Sequence, residues 1–207
     1  KNILKSNNLD YFDENISWHF HLFSCFDNQI KNILEIGTLD GNFTNFLSKK
    51  FPNSKIFTID LNSDDPLFKN TYDRKDNVKL KEFLLRRNEN LKSSNIKFYE
   101  YDSFFILDKF NDIKFDIIWI DGDHFNPQVS FDIFSSYKLL NENGYLCCDD
   151  IIFNDYKTDY VNSDSYKTLK FLEKKKILKN NFILKRITKD NYNEKKYISV
   201  SQKLVNV

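Results

Sequence analysis

Two short stretches carry residue types that do chemistry. Asp121-Gly122-Asp123-His124 closes an apolar run from Phe115 to Ile120, and Asp149-Asp150 closes a second run, Gly144 to Cys148. Both runs read as buried strands, so Asp121, Asp149 and Asp150 fall at the carboxyl ends of neighbouring strands. Three carboxylates gathered there repel one another unless a cation neutralises them, and an all-oxygen set suits Mg²⁺ or another hard divalent ion. His124 is the one histidine outside the amino-terminal segment, where His19 and His21 lie. Its ordinary pKa near neutrality makes it a candidate general base; a loop histidine bonded to backbone is the alternative. Asp123 reads as a solvated turn residue.

A second group of residues suits a nucleoside. The chain has only four glycines. Gly37 and Gly41 frame a strand-to-helix turn in Ile33-Leu34-Glu35-Ile36-Gly37-Thr38-Leu39-Asp40-Gly41. Bare backbone at such a turn lets a ligand approach, and ligands of open α/β sheets sit at the carboxyl ends of strands. Leu39 stands where the dinucleotide fingerprint has its middle glycine, so a pyrophosphate is poorly served and a nucleoside without phosphate fits better. A tight turn with no ligand is the alternative. Asp60 ends the second strand, 23 residues after Gly37. It is placed to accept from both ribose hydroxyls, or to serve as a turn residue or helix cap. Asp102 and Ser103 end the third strand, where a carboxylate can meet an adenine amino group or cap the next helix.

The elements that must position these groups follow from hydrophobic periodicity. The spacing predicts an amino-terminal helix from Asn15 to Ile30, with Ile16, Phe20, Phe23, Phe26 and Ile30 on its packed side. Strands are expected at Asn32–Ile36, Lys55–Ile59, Ile96–Tyr101, Phe115–Ile120 and Gly144–Cys148. Helices are expected at Asn42–Phe51, Val78–Leu91, Ser103–Phe110, Gln128–Leu140 and Asp164–Leu178. Phe182–Ile187 and Lys196–Ser201 form a closing hairpin. Alternating strands and helices imply an α/β fold with a mostly parallel sheet covered on both faces, plus one antiparallel strand from the hairpin. The polar stretch 62–95 exceeds what a connection between strands needs and reads as an insertion beside the site.

Composition narrows the function classes. At 207 residues the chain is expected to be one domain, 1–207, large enough for a sizeable core. The net charge of +1, with charges interspersed, gives no electrostatic footprint for nucleic acid. No membrane-length apolar run or signal peptide is seen. Cys25, Cys147 and Cys148 form neither a disulfide framework nor a zinc pattern, so a reduced, cytoplasmic setting is expected. The chain holds no alanine and no methionine, which with the abundance of Lys, Asn, Ile and Phe reflects A/T-rich codon bias. The start at Lys1 leads to the expectation that the initiator residue is missing.

Taken in order, EIGTLDG, a strand ending in Asp60, YDS, IDGDH and LLNENGYLCCDD resemble the class I S-adenosylmethionine-dependent methyltransferases. The last two segments are similar to a small bacterial branch related to catechol-type and macrolide-sugar O-methyltransferases. The resemblance covers Asn32 to Ile151 and implies a Rossmann-like sheet of seven strands. It places Glu35, Gly37, Thr38 and Gly41 around the methionine part of S-adenosylmethionine. It also gives Asp60 the ribose, Asp102 and Ser103 the adenine, and Asp121 a place in the cofactor site. It matches Asp121, Asp149 and Asp150 to the metal ligands of metal-dependent members, and puts His124 where catechol-type members carry a lysine base.

The activity so implied is O-methylation of a small hydroxylated molecule, such as a sugar, polyol or catechol, aided by Mg²⁺ or another divalent cation. A homo-oligomer is compatible with it. Three alternatives stay open: metal-independent transfer to nitrogen or oxygen, an NAD-dependent oxidoreductase or epimerase, and a non-catalytic nucleoside-binding domain. The absence of G-x-G-x-x-G weighs against the oxidoreductase.

Overall fold

The computed structural model describes residues 18–27, 29–154, 162–187 and 195–204. Seven strands form one sheet: β1 (Asn32–Ile36), β2 (Lys55–Asp60), β3 (Ile96–Glu100), β4 (Phe115–Ile120), β5 (Leu140–Ile151), β6 (Leu178–Ile187) and β7 (Lys195–Lys203). Their spatial order is β3-β2-β1-β4-β5-β7-β6. The first five pair in parallel, and β7 runs antiparallel between β5 and β6. The order reverses between β1 and β4, which is where ligands of open α/β sheets bind.

The helices are α1 (His19–Ser24), α2 (Asn42–Lys50), α3 (Pro66–Asn70), α4 (Asn77–Asn90), α5 (Ile106–Lys109), α6 (Gln128–Leu139) and α7 (Asp164–Lys174). Alternation along the central strands feeds two cores. Leu34, Ile36, Phe57, Ile118, Ile120, Leu146 and Cys148 pack with Val129, Ile133, Leu169 and Leu172 of α6 and α7. Ile33, Ile56, Ile117, Trp119 and Cys147 pack with Phe20, Phe23, Phe43 and Phe46 of α1 and α2. Burying each such side chain contributes about 1.5–3 kcal/mol, so the two faces anchor the central strands that carry the site. The vicinal cysteines split between the faces and act as small buried hydrophobes.

The structure departs from the periodicity reading mainly at element ends. Among the described residues the amino-terminal helix spans only His19–Ser24, and expected positions 15–17 and 28 lie outside the described residues. The segment after Asp102 is a 3₁₀ turn, Ser103–Phe105, followed by the short α5. The stretch 62–95 holds a helix that periodicity missed, α3, started by Pro66 with Asp65 as its cap. The last long helix stops at Lys174 rather than Leu178. Lys176 takes φ +59° there, and Ile177 N–H bonds back to Leu172 O. β6 therefore starts at Leu178, four residues before the expected Phe182. No helix among the described residues is long and apolar enough to cross a membrane.

Candidate active site

The turn after β1 is shaped by close backbone approach. Gly37 N–H and Thr38 N–H both donate to Ile59 O, and Asp121 N–H donates to Ile36 O at 2.8 Å. A Cβ on Gly37 would lie 2.3 Å from the Asp121 carbonyl oxygen, and the residue takes φ +97°. Glycine is required here because the ends of β1 and β4 touch. Gly41 takes φ +74° as the residue preceding α2.

Glu35 and Thr38 sit inside this turn rather than on its open side. Glu35 is 1% exposed and accepts from Thr44 Oγ1 at 2.5 Å and Thr58 Oγ1 at 2.6 Å. Thr38 and Thr58 hydroxyls are 2.6 Å apart, so with Thr58 donating to Glu35 the donor between them is Thr38. Burial raises the Glu35 pKa to about 8, against the opposing effect of its two threonine donors. The side chain is thus a neutral acid at pH 7, holding β1, β2 and α2 together.

Asp60 closes β2 beside the turn. Its Oδ2 accepts from Leu39 N–H and its Oδ1 from Leu61 N–H, each at 2.8 Å. Burial raises its pKa, opposed by those two bonds and by Arg74 and Arg87. An ionised carboxylate has about four lone-pair sites, so two donors leave room for two hydroxyls. Asp102 is exposed and caps the 3₁₀ turn by accepting from Phe104 N–H at 2.9 Å. Ser103 Oγ accepts from Gln128 Nε2 at 2.7 Å, and Gln128 also donates to Asp132 at 3.1 Å. Burial pushes the Asp132 pKa up to about 6. The 62–95 stretch reaches this side of the site: Arg86 pairs with Asp40, Asn90 donates to the Asp40 carbonyl, and Arg87 pairs with Glu100.

At the end of β4, His124 Nε2 lies 3.7 Å from Asp121 Oδ1, with their side chains 31% and 34% exposed. Burial lowers the His124 pKa, with Asp150 and Asp149 acting the other way, so the imidazole is neutral at pH 7. Desolvation, and then the neighbouring Asp149, raise the Asp121 pKa well above its ordinary value of 3.8.

The expected metal set is not assembled. Lys185 Nζ, from β6, donates to Asp149 Oδ2 and lies 2.9 Å from Asp150 Oδ1. Lys196 Nζ, from β7, lies 2.7 Å from Asp150 Oδ2. Burial opposes ionisation of Asp150, but Lys185 and Lys196 outweigh it and hold its carboxyl well below the usual range. Among the described residues no group of three or more His, Cys, Asp or Glu side chains is arranged to hold a metal ion. Three of the four oxygens of Asp149 and Asp150 serve ammonium groups, which is a poor fit to a hard dication, and Asp149 Oδ1 is buried without a hydrogen-bond partner.

Lys185 and Lys196 are the residues that sequence reasoning missed. The visible signal was slight: Leu184-Lys185-Arg186 interrupts the apolar alternation of the hairpin strand. Thr44 and Thr58 gave no signal, since threonine is ordinary in a helix or strand. An apolar groove of about 940 Å³, lined by Phe131, Phe134 and Phe171 of α6 and α7, includes none of the site residues.

Comparison with known proteins bears on the family and the fold. A sequence-family model described as a methyltransferase domain matches residues 34–151, from β1 to the end of β5. An uncharacterised protein of Acanthamoeba polyphaga mimivirus is 33% identical over 164 residues, covering 70% of this chain. The chain spans 64% of that relative's length. A candidate O-methyltransferase from Klebsiella pneumoniae superposes with a TM-score of 0.65 at 16% identity, over 99% of this chain and 89% of that one. The Streptomyces achromogenes O-methyltransferase TomG, solved with S-adenosylmethionine, gives 0.62 at 16% identity, over 98% and 86%. Identities this low establish the shared fold. The match over 34–151 goes further, and the chain belongs to the methyltransferase-domain family, built on the fold of the class I S-adenosylmethionine-dependent enzymes.

Proposed function

We propose that this chain transfers the methyl group of S-adenosylmethionine to a hydroxyl oxygen of a small molecule, of the sugar, polyol or catechol-like kind. One observation carries the reading. The Gly37 turn and the His124–Asp121 pair are joined through the Asp121 backbone, so a donor held at the turn lies next to a proton acceptor. The family match supports the donor, and the neutral imidazole supports the acceptor chemistry.

S-adenosylmethionine supplies an already activated methyl group, so the chain's work is positioning and proton removal. Asp60 has lone pairs left for the ribose hydroxyls, and Asp102 offers a second carboxylate oxygen beyond its cap to the adenine amino group. The Gly37–Gly41 turn presents backbone, with Glu35 and Thr38 bracing it from beneath. His124 accepts the proton of the acceptor hydroxyl as the oxygen–methyl bond forms and the donor's sulfur–methyl bond breaks, leaving S-adenosylhomocysteine. A divalent cation at Asp121, Asp149 and Asp150 has no part in this scheme, because Lys185 and Lys196 already occupy three of the four oxygens of Asp149 and Asp150.

Calorimetric titration with S-adenosylmethionine and with NAD separates this reading from an oxidoreductase. Methyl transfer from labelled donor to a panel of polyols, sugars and catechols then tests the acceptor. Binding of NAD in place of S-adenosylmethionine would refute the proposal. Donor binding without turnover on any hydroxylated acceptor, but with turnover on amines, would move it to nitrogen.

A further inference from the structure

β6 begins with Leu178, Asn180 and Phe182 turned inward and Lys179, Asn181 and Ile183 outward. Continued alternation would put Lys185 outside with Ile183. The ladder to β7 breaks first: Leu184 pairs with Tyr197 and Arg186 with Lys196, leaving Lys185 as the extra residue of a bulge. The slip turns Leu184 outward, to 46% exposure, and buries Lys185 to 6%, while Ile183 and Ile187 are 42% and 49% exposed. A strand that exposes three aliphatic side chains and buries a lysine breaks the local rule, and bulges of this kind re-aim a side chain.

β5 carries a matching irregularity on the other side of β7. Cys148 pairs with Ser199 and Ile151 with Tyr197, so three steps on β5 span two on β7. Asp149 and Asp150 are the residues inside that irregularity, and Asp150 takes φ +47°. Two departures from strand geometry, flanking the same stretch of β7, thus bring one buried lysine against two carboxylates. Desolvating an ammonium is unfavourable and is offset here by the oxygens of Asp149 and Asp150.

We infer that Lys185 is the resident cation of the acidic rim, its ammonium holding the place between Asp149 and Asp150 that their sequence pattern reserves for a divalent metal. The inference deepens the proposed methyl transfer and rests on it only for the identity of the site. Two ammoniums, Lys185 and Lys196, balance Asp149 and Asp150. A dication at the same oxygens would have to expel a buried ammonium and would be repelled by it. Lys185 is therefore a positioning residue: it fixes the carboxylates that surround Asp121 and His124, and it makes transfer independent of metal.

The test uses the full chain without a tag, stripped with chelator and titrated with Mn²⁺, with free Mn²⁺ read by electron paramagnetic resonance. Wild type is expected to take up no stoichiometric Mn²⁺ below about 1 mM, weaker than any carboxylate cage built for a divalent ion. Lys185→Ala is expected to gain one Mn²⁺ per chain, and its unfolding midpoint to rise with Mn²⁺ while that of wild type stays put. Should Lys185→Ala not fold, the double variant Lys185→Ala/Asp149→Asn removes both charges together and is expected to fold and take up no Mn²⁺. One Mn²⁺ per wild-type chain, lost in Asp149→Asn, overturns the inference. So does a folded Lys185→Ala that takes up none, or a double variant that still does. S-adenosylmethionine binding is measured alongside: its absence in wild type sinks the methyl-transfer reading and leaves the Mn²⁺ result to judge Lys185 alone.

Discussion

On the β1–β3 side of the rim, the three acidic side chains expected to serve S-adenosylmethionine are held by neutral donors: Asp60 by the N–H groups of Leu39 and Leu61, Asp102 by that of Phe104, and Glu35 by two threonine hydroxyls. Arginines pair with Asp40 and Glu100 beside them. On the β4–β5 side, Asp149 and Asp150 are held by ammonium groups delivered from the closing hairpin. Neutral donors fix a carboxylate while leaving lone pairs and negative charge for an incoming hydroxyl or amine. Ammoniums cancel the charge and leave a rigid, nearly neutral wall. The first half therefore suits recognition of a polar nucleoside, and the second suits a proton transfer that needs His124 uncharged at the start. Each half can be broken separately.

The largest expected effect is at His124. Replacing it with Ala should lower kcat by a factor of about 10² to 10⁴, the usual worth of a positioned general base. S-adenosylmethionine affinity should stay at the wild-type value, because the donor half is untouched. Calorimetry beside single-turnover kinetics separates the two. A parallel loss of donor binding would mean that the halves are not independent.

Next comes the ion pair behind that half. Lys185 and Asp149 have side chains only 6% and 5% exposed. Lys185→Met keeps the volume but strands a buried carboxylate, which costs about 3–5 kcal/mol. Urea unfolding measures it directly. A loss below about 1 kcal/mol would place the pair among exposed, weak ones and erase the contrast drawn above.

Much of the first half was legible because its signals are local or periodic. Gly37, Gly41 and the strand-end acids fall at turns that alternation predicts, and β1 and β4 are found where the apolar runs stand. Lys185 was hidden for a physical reason. Its partners lie 36 and 35 positions earlier in the chain, and its inward orientation depends on a bulge that no periodicity encodes. The same holds for Glu35. It was placed at the end of the first strand, beside the turn, but its burial against Thr44 and Thr58 emerged only when α2 and β2 were packed on β1.

Glu35 gives a smaller, pH-dependent effect. Its folded pKa, about 8, stands above the ordinary value of 4.5. Below pH 4.5 both folded and unfolded forms carry the proton. As pH rises the unfolded chain ionises first, so stability falls until the folded pKa is passed. The slope is about 1.4 kcal/mol per pH unit at most. Glu35→Gln, neutral throughout, should flatten the fall seen by urea unfolding between about pH 5 and about pH 8. An unchanged slope would mean that Glu35 is ionised in the folded chain, and that the first half carries more negative charge than the contrast allows.

The smallest effect, at Asp102, asks whether a neutral-donor carboxylate really keeps capacity for a ligand. Its one cap bond to Phe104 N–H can be replaced by Asn, which caps as well as Asp does, but not by Ala. Asp102→Ala should therefore cost about 1 kcal/mol of stability and Asp102→Asn only a few tenths. Ligand binding should divide the variants differently. If the second carboxylate oxygen accepts from the adenine amino group, both variants lose that acceptor, and each should weaken S-adenosylmethionine binding by about 1 kcal/mol, or roughly fivefold. An Asn variant that binds the donor as tightly as wild type would assign Asp102 to the cap alone. The adenine would then have to be read by Ser103 and its partners Gln128 and Asp132, which already form a connected network beside it.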